Sequence, residues 1–369
     1  MNSLFRTFIA LLASLQLIGC SQQEPARIGF LLELSGRSGD LGEAARNGAI
    51  LAIEQLKSQG KLGERKIELL IRDIQSDPNA ARKAAEELVN AKVDIIVGPI
   101  TTVMADAILP VTEKAGIVLL APSVSATRFF GKDDYFFRLN WTARDEGKHY
   151  AQHYFKNRKL HTVSIAANGN NRGHTEDWAN GFRDEFESLG GKVLALRFFD
   201  SFTSNLSPIV SELLQPSPDA LLFVCAGGDA TRLAQQAFKQ KPGIAMITLG
   251  WAATQQLIEQ GGQAVEGMMI IESFDRSDQS QRYTAFRDSY RKRFDRDPVH
   301  GSLLGHDAGT VVMETLATRP PGMPMKEALL KHGPYTGLQR TIEFNPTGDN
   351  TTRSGYPIMI RDRQYVPER

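Results

Sequence analysis

Short apolar runs alternate with longer amphipathic stretches along most of this chain. Arg27 to Leu32, Lys66 to Arg72, Val93 to Val97 and Ile117 to Leu120 are rich in β-branched and aliphatic residues. Runs of that length predict buried strands. Between them, Ala49, Ala52, Ile53 and Leu56 recur at helical spacing within Glu43 to Lys57. Ala81, Ala84, Ala85 and Leu88 form a second such stripe after Asp77-Pro78, and a third helix is predicted over Thr102 to Ala115. Alternation of this kind predicts a parallel sheet with helices on both faces.

The pattern then restarts. Tyr135 to Arg138 reads as a crossover strand and Asp145 to Arg158 as a helix. Strands follow at Val163 to Ala166, Lys192 to Arg197, Ala220 to Ala226, Ile244 to Leu249 and Gly267 to Glu272. Trp178, Phe182, Phe186 and Leu189 mark one helix face, Leu206 to Leu214 is another helix, and Gly227-Gly228-Asp229 opens a third. The tail changes character, with amphipathic helices over Ser280 to Phe294 and Leu303 to Ala317. A short helix spans Met325 to His332, and late strands lie at Thr341 to Phe344 and within Tyr356 to Val366. These elements are too few for a third domain and complete the first two. The predicted fold is α/β, with two doubly wound parallel-sheet lobes.

Candidate chemistry sits where two of the first strands end. The Val93 run stops at G-P-I-T-T and the Ile117 run at A-P-S-V-S. Parallel neighbours would put both turns at the carboxyl edge of the sheet, where open α/β folds bind small molecules. Free N–H groups and the positive helix end favour an anionic group there. Thr101, Thr102, Ser123 and Ser125, with Val124 between the serines, are therefore candidate ligand contacts. Taken singly, each hydroxyl reads as a plain helix cap. Two such turns on one edge point to a site.

The first twenty residues stand apart. Arg6 precedes an apolar, acid-free stretch from Phe8 to Leu17, which ends at L-I-G-C. That stretch is too short to span a membrane and has the form of a secretory signal. L-I-G-C resembles a bacterial lipobox, with Cys20 as the lipidated residue and 21–26 as a tether. No later segment is long and apolar enough to span a bilayer. The chain of 369 residues has a net charge of +1, with 41% apolar and 23% charged residues. That balance, with no basic run interleaved with aromatics, points away from nucleic acid. Cys225, the second of two cysteines, lies on an apolar run and reads as a small buried hydrophobe.

In their order, the motifs resemble those of the type I periplasmic binding proteins, specifically the leucine/isoleucine/valine-binding branch. I-G-F-L-L-E-L-S-G, N-G-A-I-L-A-I-E-Q-L, V-D-I-I-V-G-P, L-L-A-P-S-V-S-A-T and Y-T-G-L-Q-R-T-I-E-F-N-P-T-G-D carry the resemblance across Arg27 to Arg369. It implies two lobes joined by a three-stranded hinge, with a small-molecule ligand between them. Lobe one would be 27–140 plus 273–340, and lobe two 141–272 plus 341–369. With the lipobox at Cys20, the expectation is a membrane-anchored lipoprotein of the periplasm or cell surface. That protein would serve an ABC importer whose permease and ATPase are separate chains. The absence of a G-x-x-x-x-G-K-[ST] phosphate loop agrees.

Residue by residue, Thr102, Ser123 and Ser125 match hydroxyl positions of the resembled family, and Leu41 matches a wall position. Lobe two departs. Arg172 stands where the family often has tyrosine, and Trp251 and Ala252 where an acid often follows Gly250. Ala226 and Gly227 stand where tyrosines often follow the strand. A carboxylate-binding half is thus expected and an amine-binding half is not evident. Asp229 either substitutes for the acid or caps its helix. The expected ligand is a branched-chain or other amino acid, or an acid with an apolar or aromatic body. Such a body would stack on Trp251 or Trp141, with Arg172 adding a charged contact. Core packing for Trp251 and a solvated charge for Arg172 are the competing readings.

An enzyme is not expected. His149 and His153 lie four apart on a helix, but no H-E-x-x-H, G-x-S-x-G or G-x-G-x-x-G pattern occurs. No cofactor or metal is implied. A lipoprotein activator of envelope enzymes and a ligand sensor are the alternative functions.

Overall fold

The computed structural model describes residues 24–36, 38–60 and 65–368. The signal segment and Cys20 lie outside the described residues.

Five parallel strands form the first sheet, in the order β2-β1-β3-β4-β5. They are β1 (Ala26–Leu32), β2 (Ile67–Asp73), β3 (Ile95–Val97), β4 (Leu119–Ala121) and β5 (Phe136–Arg138). One face packs on α2 (Pro78–Asn90) and α3 (Thr102–Ala115). The other packs on α1 (Gly39–Ser58) and on α10 (His300–Thr318) from the tail. α9 (Gln281–Phe294) adds Tyr283, Phe286 and Tyr290 against Leu51 and Leu303.

The second sheet has the order β14-β13-β10-β9-β8-β6-β7. β6 (Thr162–Asn168), β7 (Lys192–Phe199), β8 (Ala220–Val224), β9 (Ala245–Leu249) and β10 (Met269–Glu272) are parallel. β13 (Tyr356–Arg361) and β14 (Gln364–Pro367) close the edge antiparallel. α4 (Ala143–Lys156) and α5 (Arg172–Ser188) cover one face, where Tyr150, Trp178, Phe182 and Phe186 are fully enclosed. α6 (Ser207–Leu214), α7 (Gly227–Gln240) and α8 (Gln255–Gly261) cover the other.

Most boundaries fall within a few residues of the periodicity, with three informative differences. α1 starts at Gly39 rather than Glu43, because Asp40 accepts the Leu41 amide at 2.8 Å and Gly42 presses on the Glu33 carbonyl. That extra turn carries Leu41 into the interlobe cavity. Asp94 is not a strand residue, because its carboxylate accepts the Arg27 amide at 3.0 Å. The tail also folds back. β11 (Tyr335–Thr336) pairs with β12 (Thr341–Ile342), and Ile342 and Phe344 pack in the first lobe's core.

Three segments connect the lobes: 139–142, 273 onward and 345–355. Asp349 on the third accepts the Arg138 guanidinium from the end of β5, where the first begins, the Gly131 amide at 2.9 Å and the Thr347 hydroxyl at 2.7 Å. Asn350 donates to the Leu139 carbonyl at 2.8 Å, and Ser354 to the Ser273 carbonyl at 2.6 Å. The crossings are thereby tied to one another.

Candidate functional site

Both sheets point the carboxyl ends of their parallel strands at the seam between the lobes. A cavity of about 300 Å³ lies there. From lobe one it is lined by Ser38, Leu41, Ser76, Thr101, Thr102 and Ser123 among others. The first crossing contributes Asn140. Lobe two contributes Asn168, Asn170, Asn171, His174, Ser201, Asp229 and Trp251 among others. A larger groove of about 1000 Å³ lies elsewhere along the seam. It is lined by charges of both signs, and none of its residues holds an orphaned buried polar atom.

The turn after β3 is organised by Glu33 at the end of β1. This carboxylate is fully buried. It accepts the amides of Ile100 and Thr101 at 3.0 Å and the Thr101 hydroxyl at 2.7 Å. Burial pushes Glu33 up from the usual carboxylate range, and Thr101 and the amides pull it back. Thr101 therefore lines the cavity with its donors already spent on an internal anion. Its neighbour Thr102 has a buried hydroxyl with no partner among the described residues. As the first residue of α3, Thr102 also has an amide with no intrahelical acceptor.

Ser123 lines the cavity, but the rest of its turn does not. Val124 faces the core between the sheet and α2 and α3. The Ser125 hydroxyl is buried and lies 2.9 Å from Nδ1 of His174 in lobe two. Two further bonds cross the seam beside it. The Thr127 amide donates to Asp177 at 2.8 Å and the Val103 amide to Asn171 at 3.4 Å. The N-terminal turns of α5 thus dock on lobe one. Burial pushes the His174 imidazole down to about 4, with Asp177 opposing, so it is neutral near pH 7.

Lobe two departs from expectation at several positions. Arg172 is exposed and points away from the cavity. Glu176, one helical turn on, takes its guanidinium at 3.0 Å, and the ring of Phe198 lies beneath it. His174, two residues further round the helix, faces the cavity instead. Trp141 packs on His149, with ring centroids 5.7 Å apart, and leaves the wall to Asn140. Ala226 lines the cavity. Gly227 lies behind it, where any side chain would meet the Ala252 carbonyl. Trp251 does line the cavity. Its half-buried ring packs against the cores of both lobes and edge-on to His174, and its indole N–H is buried with no partner among the described residues.

Asp229 sits in the first turn of α7, on the cavity wall. Its carboxylate takes the Ser201 hydroxyl, the Asn168 amide at 3.3 Å and the Arg232 guanidinium at 3.3 Å. Its charge is thus met inside the protein. No Lys or Arg lines the cavity among the described residues, and none of those residues form a cluster of three metal-ligating side chains. Sequence reasoning missed Glu33, His174, the asparagines at 140, 168, 170 and 171, and the serines at 38, 76 and 201, among others. The asparagines at 168, 170 and 171 had a signal: their polar loop follows a strand as the hydroxyl turns do in lobe one.

Two parallel-sheet lobes with a ligand-sized cavity on their seam define a bilobal solute-binding protein. Residues 25–359 match the Periplasmic binding protein family model, and the chain belongs to that family. It is similar to the leucine-, isoleucine-, valine-, threonine-, and alanine-binding protein of Pseudomonas aeruginosa, with 22% identity across 86% of this chain and 84% of that one. It is also similar to the leucine-specific-binding protein of Salmonella typhimurium, at 20% identity across 81% and 76%. Among solved structures, the LivJ substrate-binding protein of Streptococcus pneumoniae in complex with isoleucine aligns at TM-score 0.85. Identity there is 21%, over 93% of this chain and 98% of that one. A solute-binding protein of R. palustris in complex with benzoate aligns at 0.81, with 20% identity over 93% and 95%. The chain is thus a periplasmic binding protein, and the two named relatives are binding proteins rather than enzymes. No helix among the described residues is long and apolar enough to cross a membrane.

Proposed function

We propose that this protein is an extracytoplasmic lipoprotein, anchored through Cys20 at the periplasmic or cell surface. It closes its lobes on a small carboxylate with an apolar or aromatic body and passes it to an importer. The importer's permease and ATPase are separate chains. One observation carries the ligand class. Among the described residues, the buried hydroxyl of Thr102 and the buried indole N–H of Trp251, both on the walls of the cavity, lack partners. Buried polar groups in folded proteins are nearly always bonded, so orphans around a cavity call for a guest with acceptor oxygens. Leu41, Ile100, Val103, Ala226 and Trp251 supply the apolar wall.

An α-ammonium is poorly served here. Among the described residues, the one carboxylate on the wall, Asp229, is already met by Arg232, Ser201 and Asn168. The reading therefore favours acids without an α-amino group over the amino acids that several relatives are named for. A thermal-shift screen of amino acids, aromatic acids, short-chain acids and their amides tests it. Stabilisation by apolar or aromatic acids is expected, and their amides should fail. Stabilisation by zwitterionic amino acids alone would overturn it. Mass spectrometry of material co-purifying with the protein would identify the natural ligand.

A further inference from the structure

We propose that His174 is a ligand-binding residue whose Nε2–H bonds the carboxylate of the bound acid, and that Ser125 is the positioning residue that sets this donor. The serine belongs to lobe one and the histidine to lobe two, so the donor is assembled as the lobes close. The proposal rests on the carboxylate-binding reading above.

His174 lines the cavity and is 8% exposed. Its Nδ1 is taken by the Ser125 hydroxyl at 2.9 Å. Its Nε2 has no partner among the described residues, yet it is not one of their fully enclosed orphans. That nitrogen therefore keeps accessible surface, and the cavity is what the residue borders. A second serine–histidine pair shows the contrast. Ser273 and His300 also meet at 2.9 Å, but there Nε2 is fully enclosed and the ring does not line the cavity.

Which nitrogen carries the proton follows from the serine. A neutral imidazole has one donor and one acceptor. Ser125 is buried, and its hydroxyl has no other partner among the described residues. A proton on Nδ1 would leave the serine's own proton buried without an acceptor, which folded proteins rarely tolerate. With the serine donating to Nδ1, both enclosed atoms of the pair are served and Nε2–H is left for the cavity. The ring is also held in place, because the first turns of α5 are pinned to lobe one. The Val103 amide donates to Asn171 at 3.4 Å and the Thr127 amide to Asp177 at 2.8 Å. The Arg128 guanidinium packs where a side chain on Gly173 would stand. No Lys or Arg lines the cavity among the described residues. A neutral N–H bonded to a carboxylate is still charge-assisted and stronger than a neutral pair. In an open cleft Nδ1 loses the serine, and the proton distributes over both nitrogens. The bond to the acid and the bond to Ser125 therefore favour closure together.

Two measurements test this, with isovalerate, benzoate and phenylacetate as probes. Long-range ¹H–¹⁵N spectra of the histidine-labelled protein report which ring nitrogen is protonated, and His174→Gln identifies the His174 signals by their loss. Saturated with the acid that binds best, wild type should show the proton on Nε2, and that signal should move as the acid is added. Ser125→Ala should mix the two tautomers and weaken the acid. Calorimetric titration then compares side chains. His174→Leu should lose about tenfold or more in affinity. His174→Gln, whose amide supplies a donor near the Nε2 position, should stay within about threefold of wild type. A proton on Nδ1 in the saturated protein, an Nε2–H signal that the acid does not move, or equal affinities in the Leu and wild-type proteins overturns the role of His174. So does an equal loss in the Gln and Leu proteins, and each of these leaves the carboxylate reading in place. The spectra decide on wild type alone if His174→Leu does not fold. A wild type that binds none of the three acids overturns the carboxylate reading, and the role of His174 with it.

Discussion

Glu33 does for its turn what a bound anion does for a helix terminus. It gathers the amides of Ile100 and Thr101 and a hydroxyl around a carboxylate held out of water. Replacing it by alanine leaves two backbone donors unmade, at about 1–3 kcal/mol for each that stays buried. Glu33→Ala should therefore melt well below the wild type by circular dichroism; an unchanged midpoint would mean that water serves the turn equally well. His174 makes a different prediction. Its imidazole ordinarily titrates near 6.5 and is pushed down to about 4 where it meets Ser125. An open cleft that exposes the ring restores the ordinary value, so protons favour the open form. The His174 contribution to closure should be complete above about pH 6.5 and lost as pH falls toward 4. Affinity for the co-purified ligand should drop by up to about tenfold per pH unit across that window. His174→Gln should flatten the profile. An unaltered profile would put the titration elsewhere, with Asp177, Glu176 paired with Arg172, and Asp106 paired with Arg128 as the charged groups nearby.

At the scale of elements, α1 and α10 approach closely because small residues line the contact. A Cβ on Gly48 would lie 2.0 Å from the Ser302 carbonyl, which is backbone and has no rotamer to escape with. Gly48→Ala should cost about 3 kcal/mol by overpacking, read as a lower urea midpoint with an unchanged slope. Such elements were legible in the chain. The alanine stripe of α2 and the aromatic stripe of α5 are periodic, and periodicity needs no knowledge of partners. Facing was less legible. Arg172 and His174 both belong to the polar opening of α5. Which of them enters the cavity depends on helix phase and on a local acceptor at Glu176. Thr101 was legible as a cap-forming hydroxyl, yet its donors went to Glu33, 68 residues earlier in the chain. No local pattern announces a partner so distant.

For the whole molecule, the decisive structure is the set of crossings. Arg138 is fully buried, and Asp349 is its carboxylate partner from 211 residues away. Asp349→Ala would strand that guanidinium and the Gly131 amide at the hinge. A loss of about 3–5 kcal/mol is expected by chemical denaturation. A deficit under about 1 kcal/mol would show that the hinge relaxes around the charge. The alternation of strands and helices was enough to specify two doubly wound lobes, because most of each lobe's helices bury a local apolar stripe against the strands they alternate with. The hydroxyl turns could likewise be placed at a sheet edge from sequence alone, since parallel strands must end on the same side. The tertiary structure alone decided which groups meet across the seam. His174 was paired with Ser125, Asp229 was matched by Arg232, and Thr102 and Trp251 were left without partners among the described residues. Those outcomes depend on the distance and angle between two separately folded bodies, and hydrophobic periodicity carries no record of either.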